Sequence, residues 1–182
     1  MFILSVLYAC SKPVHKGDVT LSATALQGQS DNIHQEPARR NTSERKIING
    51  AGFCVKMLSA LEFLAIKGEV ISGDDRKALE KEIVVFLEID VPGKDFFESS
   101  ALTLSREEAT QYLTQEIGSD VTVWQDDRQF SASGVSHERV PGMNNKIRVM
   151  LFFSHVDPNK KMKISYHDHL LDAGMINFGI NN

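Results

Sequence analysis

Lys146-Ile-Arg-Val-Met-Leu-Phe-Phe-Ser-His-Val156 is the stretch on which the fold turns. Side chains of a strand alternate between its two faces. Here Ile147, Val149, Leu151 and Phe153 make one face apolar, and Met150, Phe152 and Val156 make the other apolar as well. A strand covered on both sides belongs inside a sheet, so Lys146–Val156 reads as a central strand. Asp157-Pro-Asn-Lys160 follows as a turn signal. Beyond it, Lys161–His169 and Met175–Ile180 read as two further strands.

Upstream, Glu82–Val91 is rich in β-branched residues and stops at Pro92-Gly93, which again reads as a strand. Asp120–Gln125 and Arg128–Val135 flank Asp126-Asp127 as a hairpin. Helices are signalled twice. Phe53–Lys67 is apolar nearly all round, with Lys56, Ser59, Glu62 and Lys67 marking a narrow polar stripe, and reads as a largely buried helix closed by Gly68. Ser105-Arg-Glu-Glu108 is a capping box, predicting a helix to about Ile117 with Gly118 as its stop. A charged segment from Arg76 to Glu82 adds one or two helical turns. The expected class is α+β: a mainly antiparallel sheet of five or six strands with two packed helices. A β-sandwich with inserted helices is the alternative.

The chain has 182 residues, 42% hydrophobic and 24% charged, which suffices for one core. Its formal net charge of −4, with acids and bases interspersed, disfavours a nucleic-acid partner. Residues 10–46 are polar and aromatic-free, a composition that cannot bury enough surface to offset the entropy of ordering, and read as a tether. Folded chain is expected from Ile47 to Asn182.

Residues 1–9 are an apolar run ending at a cysteine. Leu7-Tyr8-Ala9-Cys10 resembles the lipobox of bacterial lipoproteins, in which a small residue precedes the cysteine that is lipidated and becomes the mature N-terminus. The resemblance implies a signal peptide, acyl chains on Cys10, and a protein anchored to a membrane of the bacterial envelope. Ser11 after the cysteine implies outer-membrane delivery, facing the periplasm. Nine apolar residues with no Lys or Arg before them depart from a standard export signal. Either translation starts upstream of Met1 or the match is fortuitous, a first strand being the plain alternative. Two cysteines occur, Cys10 and Cys54. Without lipid on Cys10, a Cys10–Cys54 disulfide becomes possible in an oxidising compartment. Cys54, in an apolar run, reads as a buried small hydrophobe rather than a nucleophile.

Chemistry is thinly signalled. His167 and His169, two apart in Tyr166-His167-Asp168-His169, share one face of a strand, and His155 on the preceding strand is the candidate third metal ligand. The alternation puts Met162, Ile164 and Tyr166 inward and the histidine pair on the solvent face. Asp126, Asp127 and Glu138 near Trp124 are the acids that could line a glycan cleft. Two histidines fall short of the three ligands a zinc centre takes from protein. No nucleophile elbow, phosphate loop or dinucleotide fingerprint occurs either, so no metal, no catalytic residue and no cofactor is expected. Trp124, opposite in phase to Val121 and Val123, and Phe96-Phe97 are candidate binding anchors. The function expected is a non-enzymatic envelope lipoprotein binding a protein partner or envelope component. An inhibitor or immunity-type protein, and a periplasmic metal-dependent enzyme using His155, His167 and His169, are the alternatives.

Overall fold

The computed structural model describes residues 42–139, 142 and 144–180. The protein is α+β, with antiparallel strands in two sheets rather than one. The first sheet has five strands in the order β1-β2-β3-β7-β6: Ser43–Ile48, Ala51–Ser59, Glu82–Asp90, Lys146–Ser154 and Gly134–Arg139. The second has four in the order β5-β4-β8-β9: Arg128–Ser131, Val121–Gln125, Met162–Asp168 and Gly174–Ile180. Their inner faces share a single core, in which the ring of Phe53 on β2 meets that of Tyr166 on β8 at 6.3 Å. This is the sandwich alternative, with helices inserted between strands.

β7 pairs along its length with β3 on one side and β6 on the other. Ile147, Val149, Leu151 and Phe153 point into the core, a choice of face that the sequence, apolar on both, left open. The opposite face is half-buried, and there Phe63 of helix α1 (Ala60–Lys67) packs edge-on against Phe152 at 6.2 Å and tilted against Phe86 at 6.0 Å. A second short helix, α2 (Gly73–Leu79), leads into β3.

Four expectations need correction. Phe53–Lys67 is not one helix, because its first half belongs to strand β2 and only Ala60–Lys67 is helical. β2 is buried on both faces over most of its length, which erases the period of two and leaves an apolar run that reads equally as a buried helix. The junction was nonetheless written in the chain, since Ser59 and Glu62 form a reciprocal capping box. Ser43–Lys46, assigned to the tether, lies in edge strand β1. That strand is held by its backbone pairing to β2 while Arg45 bonds Asp90 at 2.8 Å, so it needs no apolar alternation. Thr42 is tied in as well, its carbonyl accepting from the Met57 amide at 2.8 Å. Residues 10–41 of the expected tether, with Cys10, and the signal-like run lie outside the described residues.

Arg128–Val135 also divides. β5 ends at Ser131, and β6 starts at Gly134 in the other sheet. At the crossing the Ser133 amide and hydroxyl both donate to the Phe152 carbonyl, at 2.7 and 3.0 Å. Finally, Gly118 does not stop the helix opened by the Ser105 capping box. That helix runs as α3 (Arg106–Gln111), a π-helical turn (Tyr112–Glu116) and α4 (Ile117–Asp120). Gly118 serves packing instead: a Cβ there would sit 2.5 Å from Val135 Cγ2 on β6.

Gly118→Ala should therefore destabilise the domain by about 1–2 kcal/mol despite alanine's better helix propensity, because β-branched Val135 has little freedom to turn aside. Urea unfolding should show the loss, and adding Val135→Ala should recover part of it. An unchanged midpoint for the single variant would contradict the close approach.

Candidate functional site

The end of β8 and the end of α4 meet at one corner of the second sheet. Val121 pairs with Tyr166, so Asp120, the last residue of α4, is carried to the side of His167. Alternation does the rest: His167 leaves β8 outward, Asp168 turns inward, and His169 emerges outward again at the bend that follows. The two imidazoles lie with ring centroids 4.2 Å apart. His169 Nε2 is 3.6 Å from Asp120 Oδ1, and donor atoms of Asp120, His167 and His169 all lie within 4.8 Å of one another. Asp120 is the most enclosed of the three, its side chain 19% exposed against 48% for His169.

Asp120 is held from behind. The Tyr112 hydroxyl donates to its Oδ2 at 2.8 Å, leaving Oδ1 turned toward His169. Tyr112 reaches that position from the π-helical turn, where the Ile117 amide bonds five residues back to the Tyr112 carbonyl. Hydroxyl competition favours this wider turn locally: Thr114 Oγ1 donates to the carbonyls of Thr110 and Gln111, both at 2.9 Å. Burial, ahead of the nearby carboxylates, pushes the Tyr112 hydroxyl well above its ordinary range, and the same cause raises Tyr166 beside it. Tyr166 donates to Asp168 at 3.0 Å. A cleft of about 520 Å³, lined by Leu104, Glu108, Gln111 and Glu116, opens in front of Tyr112, Asp120 and His169.

His155, the expected third ligand, is not part of this group. β7 belongs to the first sheet and ends at Ser154, where His155 takes a left-handed φ of 66° and sends the chain across to β8. It therefore lies beside the opening of β8, while His167 and His169 lie at its close, about 20 Å along the strand. Asp120 takes the third place. Sequence reading missed it because only the pairing of β4 with β8 brings it near, and nothing local in the chain fixes that pairing.

Trp124 faces outward as its phase predicts, 36% exposed, with Val121 and Val123 buried behind it and Lys163 Nζ 5.2 Å from its ring centre. Phe96 is corrected: it is fully buried in the core. Asp95 caps a short 3₁₀ turn by accepting from the Phe97 amide, and that turn rolls Phe96 inward. Phe97 is half-buried, edge-on to Phe96 at 5.4 Å with the Arg106 guanidinium over its ring. The acids considered for a glycan cleft are dispersed, Asp126 pairing with Lys160 and Glu138 with Arg148 on the other sheet. Cys54 is buried on β2.

No protein-family model matches the chain, no curated protein matches its sequence, and no solved structure matches its fold. Among the described residues, no helix is long and apolar enough to cross a membrane.

Both buried phenols hold their protons more tightly in the folded chain than in the unfolded one, where tyrosine ionises near pH 10. The stability they contribute is complete below about pH 10 and is lost as pH rises beyond it. Tyr112→Phe removes one of the two. It should cost about 1 kcal/mol at neutral pH, through the lost bond to Asp120. Its urea midpoint should also fall less than that of the parent between about pH 9 and about pH 11. Parallel decline of the two proteins would show that Tyr112 does not titrate abnormally.

Proposed function

We propose that this chain is a non-enzymatic, lipid-tethered binding protein of a bacterial cell envelope, and that it holds a protein partner on the outer face of the four-stranded sheet. One observation carries the reading of that face. Trp124 and Met175 stand on it, 36% and 60% exposed, among polar neighbours. The polar surround is ordered: Lys163 lies over the Trp124 ring, and Ser165 donates to Asn177 at 2.8 Å. The first sheet differs, since α1 packs its aromatic ring on the outer surface of β3 and β7. Exposed tryptophan and methionine within a polar rim are the residue types enriched at the centres of protein interfaces.

The tether rests on the likeness of Leu7–Cys10 to a lipobox and on the polar chain that follows, which would let the domain stand away from the membrane. Cys10→Ser should move the protein from the membrane fraction to the soluble fraction without altering the unfolding of the domain. Unchanged fractionation would remove the anchor from the proposal.

A photo-crosslinking residue placed at Lys163 should capture a discrete envelope protein, whereas one at Lys67 on α1 should not. Trp124→Ala combined with Met175→Ala should weaken that capture at least tenfold, equivalent to about 1.4 kcal/mol, with the fold retained. Absence of an adduct at Lys163 would sink the assignment of the face.

A further inference from the structure

We infer that Asp120, His167 and His169 form a site for one borderline divalent transition-metal ion, zinc by preference. Three kinds of observation converge on it. The donor set is two imidazole nitrogens and one carboxylate oxygen, all within 4.8 Å of one another. Zinc takes nitrogen at about 2.0–2.1 Å and carboxylate oxygen at about 2.0–2.2 Å, so donors around a tetrahedral ion stand about 3.3 Å apart. The His169 Nε2 to Asp120 Oδ1 distance, 3.6 Å, is already close to that spacing, and both imidazoles are exposed.

The carboxylate is the anchor. Asp120 is largely enclosed, and Tyr112 holds its Oδ2 at 2.8 Å while Oδ1 faces the imidazoles. Carboxylate ligands in metal sites are themselves oriented by such outer hydrogen bonds. Asp168, between the two histidines, is directed into the core and satisfied there, so it does not compete for the ion.

Three protein donors leave a fourth position. Zinc centres that keep an exchangeable water take three ligands from protein, whereas purely structural ones take four. Asp120 and His169 also line the cleft that carries Glu108 and Glu116, which gives solvent access to such a position. A water or an oxygen ligand from solution would fill it. Zinc binding at this corner would stand whether or not the Trp124 face engages a partner.

The test is calorimetric titration of the full chain with Zn²⁺, paired with the visible absorption of the Co²⁺-loaded protein. One ion per chain and the intense absorption of a four-coordinate cobalt site are expected. His167→Ala with His169→Ala should lower the affinity at least 100-fold, Asp120→Asn at least tenfold, and His155→Asn not at all. Circular dichroism of the histidine double variant should match the parent, because both side chains are exposed. Affinity weaker than about 1 mM in the parent would overturn the assignment. So would a folded double variant that binds zinc as tightly as the parent.

Discussion

The carboxylate of Asp168 is the interaction on which the corner of the second sheet depends. It is buried, yet it accepts four hydrogen bonds: from the Tyr166 hydroxyl and from the amides of Leu170, Leu171 and Ala173. A buried carboxylate without partners would be costly, and with four donors it becomes a clamp. The clamp turns the chain from β8 toward β9 and fixes the carbonyls of His169 and Leu170. Thr103 then bonds to both of these through its hydroxyl, and to Leu170 through its amide. The segment leading into α3 is thus tied to the same bend. The outward direction of His167 and His169 is a consequence of this inward anchor.

The two outer surfaces of the sandwich solve different problems. On the first sheet, Glu88 is buried between Lys146 at 3.3 Å and Arg148 at 2.6 Å, and Arg148 also reaches Glu138 at 3.2 Å. Such pairs contribute little net stability once desolvation is counted, but a mispaired register would strand the charges. They therefore help to specify that β3, β7 and β6 align as they do. The second sheet instead carries on its outer face a neutral bond from Ser165 to Asn177 and a cation over the Trp124 ring.

Legibility followed the strength of local pattern. The interior place of β7 in its sheet, the inward set of β8, the Asp126-Asp127 turn with both residues at positive φ, and the Ser105 capping box could all be read directly. Each is fixed by neighbours in sequence. β2 could not be separated from α1, because burial on both faces removes the alternation that marks a strand. The division into two sheets was read only as the alternative. It depends on where the chain crosses, at Ser133 and at His155, and neither residue type announces a crossing. For the candidate site, the histidine pair was visible from its spacing alone. Asp120 and Tyr112 were not, since one arrives through strand pairing and the other through a helical irregularity.

That irregularity bears on where function resides. A helix from Arg106 to Asp120 with ordinary hydrogen bonding would advance each side chain by about 100°. Inserting a π turn shifts everything after it by a fraction of a turn relative to everything before it. Tyr112 and Asp120, eight residues apart, are brought to bonding distance across this shift. π turns carry poorer hydrogen bonding than regular helix and tend to persist at functional positions. Here the turn coincides with a buried phenol and with the carboxylate that faces the histidines. Packing alone does not require this arrangement, since a phenylalanine at position 112 would fill the same volume without committing a hydroxyl to Asp120. The fold departs from its simplest form where three metal-type donors converge, and the departure is what aims the carboxylate.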